Sequence, residues 1–204
     1  MMLYCPNYSC QTPNPETHKF CQKCRTPLPK HYLWAIGKLS ATSKPGDLVQ
    51  NRFLCKARGV FLDTKPGLVP EPAIEVPDAF THYLRLSPYQ LHIPQVYEVL
   101  DAETVLLDEA AIFVTVDSGD VQILPALSEV WPQASALRQL NWLWQIASLW
   151  QPLAIERTAT SLLLNELLRA EGGIVRLLEL VPPQDEVPSL VELGQQWAMW
   201  TPAA

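Results

Sequence analysis

The spacing of apolar and polar positions changes period part-way along this chain, and the change predicts its architecture. Short apolar runs come first. Arg52-Phe-Leu-Cys55 and Gly59-Val-Phe-Leu-Asp-Thr64, closed by Lys65-Pro-Gly, have the length and punctuation of strands. Gln95–Leu100 and Thr104–Asp108, split by Asp101-Ala-Glu, continue the pattern, and Ile112–Val116 with Val121–Leu124 around Asp-Ser-Gly-Asp predicts a hairpin. Residues 66–77, with Pro66, Pro70, Pro72 and Pro77, predict a loop. Asp78 is placed to cap a short helix through Phe80, Tyr83, Leu84 and Leu86, ending before Pro88.

Beyond residue 130 the repeat becomes helical. Leu137, Leu140, Trp144, Ala147 and Trp150 recur at intervals of three and four, with Leu143 and Ile146 widening the face, and Pro152 is expected to stop this helix. Trp131, Trp142, Trp144 and Trp150 are expected to anchor a core. Leu163–Arg169, Ala-Glu-Gly-Gly and Ile174–Leu180 predict a second hairpin, and Val187–Trp200, with Leu190, Leu193, Trp197 and Trp200, predicts a closing helix. Strands first, with a helix and a hairpin later, imply a two-lobed α+β domain.

Composition adds three constraints. Of 204 residues 48% are apolar, enough for a real core, and 19 prolines against 8 glycines make the irregular stretches stiff. The net charge of −6 is uneven: in residues 1–30, Lys19, Lys23, Arg25 and Lys30 outweigh Glu16, a net +3 that leaves −9 for the rest. The body should repel nucleic acid, and the head alone can attract it. The richest apolar stretch, Leu140–Ile155, is broken by Asn141, Gln145, Ser148, Gln151 and Pro152, so no membrane insertion is expected. Met-Met-Leu-Tyr followed by Cys5 lacks the basic start and apolar core of a signal peptide, which implies a cytoplasmic chain with reduced thiols.

Four of the five cysteines lie within 20 residues as Cys5-x4-Cys10-x10-Cys21-x2-Cys24. Two thiolate pairs on separate turns can close a tetrahedron around one zinc ion, and reduced thiols in this pattern point to metal rather than disulfides. A redox Cys-x2-Cys or two disulfides are the competing readings, and His18 is an alternative ligand. Lys23 and Arg25 are placed to offset thiolate charge. Four thiols leave no position for water, so the expected zinc is structural, and so small a head should draw most of its folding energy from the metal. Pro27-Leu-Pro-Lys30 reads as a stiff hinge that ends a head spanning residues 1–30. Cys55 stands alone and is expected to be a small buried residue.

The run Leu3-Tyr-Cys-Pro-Asn-Tyr-Ser-Cys10, then Asn14-Pro and Lys19-Phe-Cys-Gln-Lys-Cys-Arg-Thr-Pro-Leu28, resembles the short zinc ribbons of many bacterial proteins, with a longer first knuckle. Residues 31–204 resemble a truncated, two-lobed protein kinase fold on three phrases. These are His92-Ile-Pro-Gln-Val-Tyr-Glu-Val, Leu137-Arg-Gln-Leu-Asn-Trp-Leu-Trp-Gln-Ile, and Leu167-Leu-Arg-Ala-Glu-Gly-Gly-Ile-Val-Arg-Leu-Leu-Glu-Leu180. The resemblance implies a pseudokinase. Asn51–Gly59 has no glycine-rich loop, and Asp63 stands where the phosphate-binding lysine is needed. Thr81 or His82 replaces the partner glutamate, and Ala159-Thr160-Ser161 replaces His-Arg-Asp. Glu166 replaces the asparagine, and Glu179-Leu180-Val181 replaces Asp-Phe-Gly.

A four-cysteine head before such a domain also resembles the N-terminal region of cyanobacterial multidomain kinases and type 2C serine/threonine phosphatases. The expectation is therefore a non-catalytic, zinc-binding regulatory or scaffold module of a bacterial signalling protein. It would bind protein partners, no small-molecule substrate being identified, and Trp197 and Trp200 are expected to close the body's own core or else to offer the contact surface. The alternatives are a nucleic-acid adaptor using the basic ribbon with Tyr4 and Tyr8, a regulatory region of a type 2C phosphatase, and an enzyme using His82, His92 or Asp63.

Overall fold

The computed structural model describes residues 2–68, 76–115 and 120–200. It is a mixed α+β chain that divides into two compact units. The first comprises Met1–Ile74 with Tyr97–Asp108, and the second Glu75–Val96 with Glu109–Ala204.

In the first unit, β1 (Met2–Tyr4) and β2 (Pro13–Pro15) form a small antiparallel pair. There follow β3 (His31–Gly37), α1 (Lys38–Thr42), β4 (Leu48–Val49), β5 (Phe53–Ala57) and β6 (Val60–Asp63). With β7 (Gln95–Asp101) and β8 (Thr104–Asp108) the strands make one six-stranded sheet in the order β4-β5-β6-β3-β8-β7. The alternation within His31-Tyr-Leu-Trp-Ala-Ile-Gly turns Leu33 and Ala35 onto Phe53, Cys55, Phe61 and Leu106, the core of this sheet. The strand reading of the sequence omitted β3, yet β3 is central and pairs with both β6 and β8. Its end needs glycine: Gly37 has φ +90, and a Cβ there would lie 1.7 Å from the Glu103 carbonyl oxygen.

The ribbon is tied into this unit. The Tyr4 N–H donates to the Thr64 carbonyl at 2.8 Å, and Lys56 pairs with Glu16 at 2.7 Å. Pro27 and Leu28 belong to the ribbon rather than to a hinge. Phe20 bridges Pro27, the Leu28 N–H donates to Lys19, and Leu28 is buried.

The second unit carries α2 (Thr81–Arg85), the β9 (Ile112–Val114) and β10 (Val121–Ile123) hairpin, α3 (Leu127–Val130) and α4 (Ala136–Ile155). The β11 (Leu168–Glu171) and β12 (Ile174–Leu177) hairpin and α5 (Leu190–Trp200) complete it. Asp78 opens a 3-10 turn after Pro77 and makes no side-chain cap, so the predicted cap is corrected. Leu163–Glu166 is turn rather than strand, because the preceding 3-10 segment Ala159–Leu162 runs on into it and the Leu167 N–H bonds to Leu164. Val116 and the Asp117-Ser-Gly119 turn lie outside the described residues, as does the 69–75 part of the proline-rich loop.

Helix α4 departs most from expectation. It runs through Pro152 to Ile155. Proline's fixed φ suits a helix, and the carbonyl left without a donor belongs to Ser148, an exposed residue where water can replace the missing N–H. The buried face is Trp142, Gln145, Ile146, Leu149 and Leu153. Leu137, Leu140, Trp144 and Ala147 are exposed, so the predicted face pointed the wrong way. The physical reason lies in the hairpin. Gln145 accepts the Val175 N–H at 2.8 Å and donates to the Gly173 carbonyl at 2.8 Å, and Asn141 donates to the same carbonyl at 2.7 Å. The face that turns inward is as apolar as the one left out, through Trp142, Ile146, Leu149 and Leu153, and it alone also lets a buried amide satisfy two backbone groups. Trp131 stacks at 6.0 Å from Trp142 and 5.4 Å from Trp200. Trp200 is buried and so belongs to the core rather than to a contact surface.

Candidate metal centre

Two turns carry the four cysteines, and they are built alike. The residue after the second cysteine of each turn is left-handed: Gln11 with φ 44 and Arg25 with φ 62. The next residue is a threonine whose hydroxyl lies against that cysteine's sulfur, Thr12 at 3.2 Å from Cys10 and Thr26 at 3.1 Å from Cys24. The threonine carbonyl in turn accepts the N–H of the first cysteine, Cys5 to Thr12 at 3.0 Å and Cys21 to Thr26 at 2.8 Å. This doubled Cys-x-Thr brings all four sulfurs to one point.

The four Sγ atoms lie within 4.8 Å of one another, with Cys5 to Cys24 at 3.4 Å and Cys10 to Cys21 at 3.8 Å. Four thiolates around a tetrahedral ion at about 2.3 Å would be separated by about 3.8 Å, so the set fits one such ion. Leu3 and Leu28 pack against Cys5 and Cys21 and keep water from that side. Asn14 is fully buried beneath the sulfurs. Its amide donates to Thr12 O at 2.7 Å and toward Cys21 Sγ at 3.6 Å, and its oxygen accepts the Gln22 N–H at 2.8 Å. It fixes one turn against the other, the part second-shell donors play around metal ligands.

The thiols titrate unequally before a metal binds. The N–H groups of Cys24 and Lys23, with the Asn14 amide, draw Cys21 down to about 6 against the opposing effect of burial. The Thr26 hydroxyl and N–H lower Cys24. Burial pushes Cys5 up to about 12. Cys21 is thus the sulfur best prepared to meet a cation, and Cys5 is the one whose proton a cation must displace. Lys23 acts here through its backbone, its side chain being exposed like that of Arg25.

The other sequence candidates fall elsewhere. His18 bonds to Gln22 at 3.1 Å and stays outside the thiol cluster. Cys55 is buried in the sheet core with its Sγ 3.3 Å from the Ala57 carbonyl. Asp63 is fully buried and holds Arg52 through two bonds of 3.0 and 2.7 Å, while also accepting Tyr97 OH at 2.8 Å and the Lys65 N–H at 2.8 Å. Arg52 reaches Glu98 at 3.0 Å. Asp63 therefore does not face an open site. An internal cation, three residues before Cys55 in the chain, neutralises it. His82 is buried, and burial lowers it to about 4. His92 donates from Nδ1 to the Val175 carbonyl at 2.7 Å.

The ligands were readable from spacing, whereas Asn14, Thr12 and Thr26 were missed. The repeated threonine two residues after Cys10 and Cys24 was the available signal. The chain matches no protein-family model, no curated protein and no solved structure. Among the described residues no helix is long and apolar enough to cross a membrane.

Proposed function

We propose that this chain is a zinc-binding regulatory or scaffold module that acts by binding protein partners. The observation that carries the reading is the thiol cluster: four cysteine sulfurs within 4.8 Å of one another are enough to fill a tetrahedral shell, which would leave no coordination position for water or substrate. Zinc is the ion because four thiolates at these spacings suit a soft-to-borderline tetrahedral cation. A cleft beside the centre, between Tyr4, Cys5 and Gln11 on one side and Lys65 and Leu68 on the other, offers a partner contact next to a metal-set backbone.

The pseudokinase reading of residues 31–204 belongs to the same proposal and draws support from one contact. Ser161, of the triplet aligned with the catalytic loop, accepts the N–H of Val181, of the triplet aligned with the metal-binding motif, at 2.9 Å. Tyr83 on α2 holds the same segment by accepting the Leu180 N–H at 2.7 Å. In place of the phosphate-binding lysine stands Asp63, already committed to Arg52. The chain would then serve a kinase or type 2C phosphatase system as a non-catalytic part.

The test is capture of partners by the purified protein with and without a chelator, with magnesium and ATP tested in parallel by thermal shift. The expected result is a partner set lost on chelation and no shift with nucleotide. Phosphate transfer to itself or to a general substrate, abolished by Glu179→Ala, overturns the reading. A second reading, single-stranded nucleic acid on the ribbon, is favoured by Tyr8, 86% exposed on a head of net charge +3. Salt-sensitive oligonucleotide binding lost in Tyr8→Ala would select it.

A further inference from the structure

We infer that α4 is the seam of a homodimer in which two copies of this helix pack antiparallel. Helix α4 has a buried face and a second apolar stripe. Leu137, Leu140, Trp144, Ala147, Gln151 and Ala154 follow one another at alternating intervals of three and four, the seam spacing of a coiled coil. All are exposed except the half-buried Ala154, with Leu137 77%, Leu140 63% and Trp144 67% exposed, and Ile155 beside them 67%. Arg138 is the sole charged residue of the 20 in α4, so nothing on the stripe repels a second copy.

The order of sizes along the stripe selects the occupant and its direction. The bulky residues, Leu137, Leu140 and Trp144, occupy the N-terminal half, and Ala147, Gln151 and Ala154 the other. Parallel pairing would set Trp144 on Trp144 and Ala147 on Ala147, a bulge beside a void. Antiparallel pairing centred between Trp144 and Ala147 sets Trp144 on Ala147, Leu140 on Gln151 and Leu137 on Ala154. Each large side chain then meets a small or flexible one, as knobs-into-holes packing requires. The stripe is complementary to itself under a two-fold rotation, which is the condition for a closed dimer.

The area is sufficient. Leu137, Leu140, Trp144 and Ile155 leave roughly 400 Å² of side-chain surface per chain exposed to water. A stable interface of about 1,200 Å² at an apolar fraction of about 65% requires roughly 800 Å² of apolar surface, which two copies supply.

The experiment is sedimentation equilibrium of the full, zinc-loaded chain across a concentration series to about 100 μM. The expected result is a dimer of twice the chain mass, with Leu140→Glu raising the dissociation constant at least tenfold. Circular dichroism of Leu140→Glu should be unchanged, since residue 140 is exposed. Adding Gln151→Lys to Leu140→Glu should restore the dimer, because antiparallel pairing sets each new glutamate against a new lysine, whereas parallel pairing sets like charges together. A monomer throughout, or a dimer indifferent to Leu140→Glu, overturns the seam. A dimer broken by Leu140→Glu and not restored by the pair overturns the antiparallel arrangement.

Discussion

The ribbon and the helical unit hold their chains in place with different currencies of interaction. Between residues 2 and 28 the fully or nearly buried apolar side chains are Leu3 and Leu28 beside the cysteines, and directional contacts to the sulfurs of Cys10, Cys21 and Cys24 set the rest. In the helical unit α4 alone buries five side chains, and its polar contacts serve to orient area already buried. The ribbon should therefore fail all at once when a ligand is lost, whereas the helical unit should weaken by increments. Its exceptions are buried polar groups without water to replace a partner.

The largest effect should come from breaking the ribbon's shell. Cys21→Ser should reduce bound metal from about one ion per chain to none and remove a contribution of about 10–16 kcal/mol, the scale for structural zinc in small domains. Elemental analysis reads the metal, and amide exchange should show protection lost over residues 2–28 first. An ion retained after both Cys21 and Cys24 are replaced would remove the site. Because Tyr4 bonds to Thr64, just past β6, and Lys56 of β5 to Glu16, exchange in β5 and at the end of β6 should rise as well.

Next in size is the buried ion pair, a directional contact inside an area-held sheet. Asp63→Asn leaves Arg52 charged and poorly paired, and should cost about 3–5 kcal/mol in urea unfolding. A change below about 1 kcal/mol would show that Glu98 alone compensates.

His82 sharpens the same point in the helical unit. Burial, only partly offset by Glu156 and reinforced by Arg85, lowers it from 6.5 to about 4. Between those values the unfolded chain binds a proton that the folded chain refuses, so stability is full above about pH 6.5 and falls as pH drops toward 4, by about 3 kcal/mol. His82→Phe should flatten that part of the pH profile relative to the parent protein. Equal slopes for both proteins would refute the assignment.

The smallest effect belongs to the threonines. Thr26→Val removes the hydroxyl beside Cys24 and should weaken metal affinity about tenfold in competition with a chromophoric chelator, leaving the fold intact. No change would mean that the backbone of the turn suffices.

The sequence by itself determined the four-thiol cluster and several of the strands and helices. The ligands lie within 20 residues, and the turns that aim them depend on neighbours a few positions away, so spacing carries the information. Strands at 53–57, 60–63, 95–101 and 104–108 were legible for the same local reason. Tertiary structure alone decided which face of α4 is buried, that β3 sits at the centre of its sheet, and that Asp63 is locked inside it. A helix apolar on two sides has no unique inner face until a distant hairpin offers Gln145 a backbone N–H and carbonyl to satisfy. A lone aspartate has no assigned role until Arg52, eleven residues away, and Tyr97, thirty-four away, close around it. Those outcomes rest on desolvation and on partners that meet only after the chain has folded, and so no local pattern encodes them.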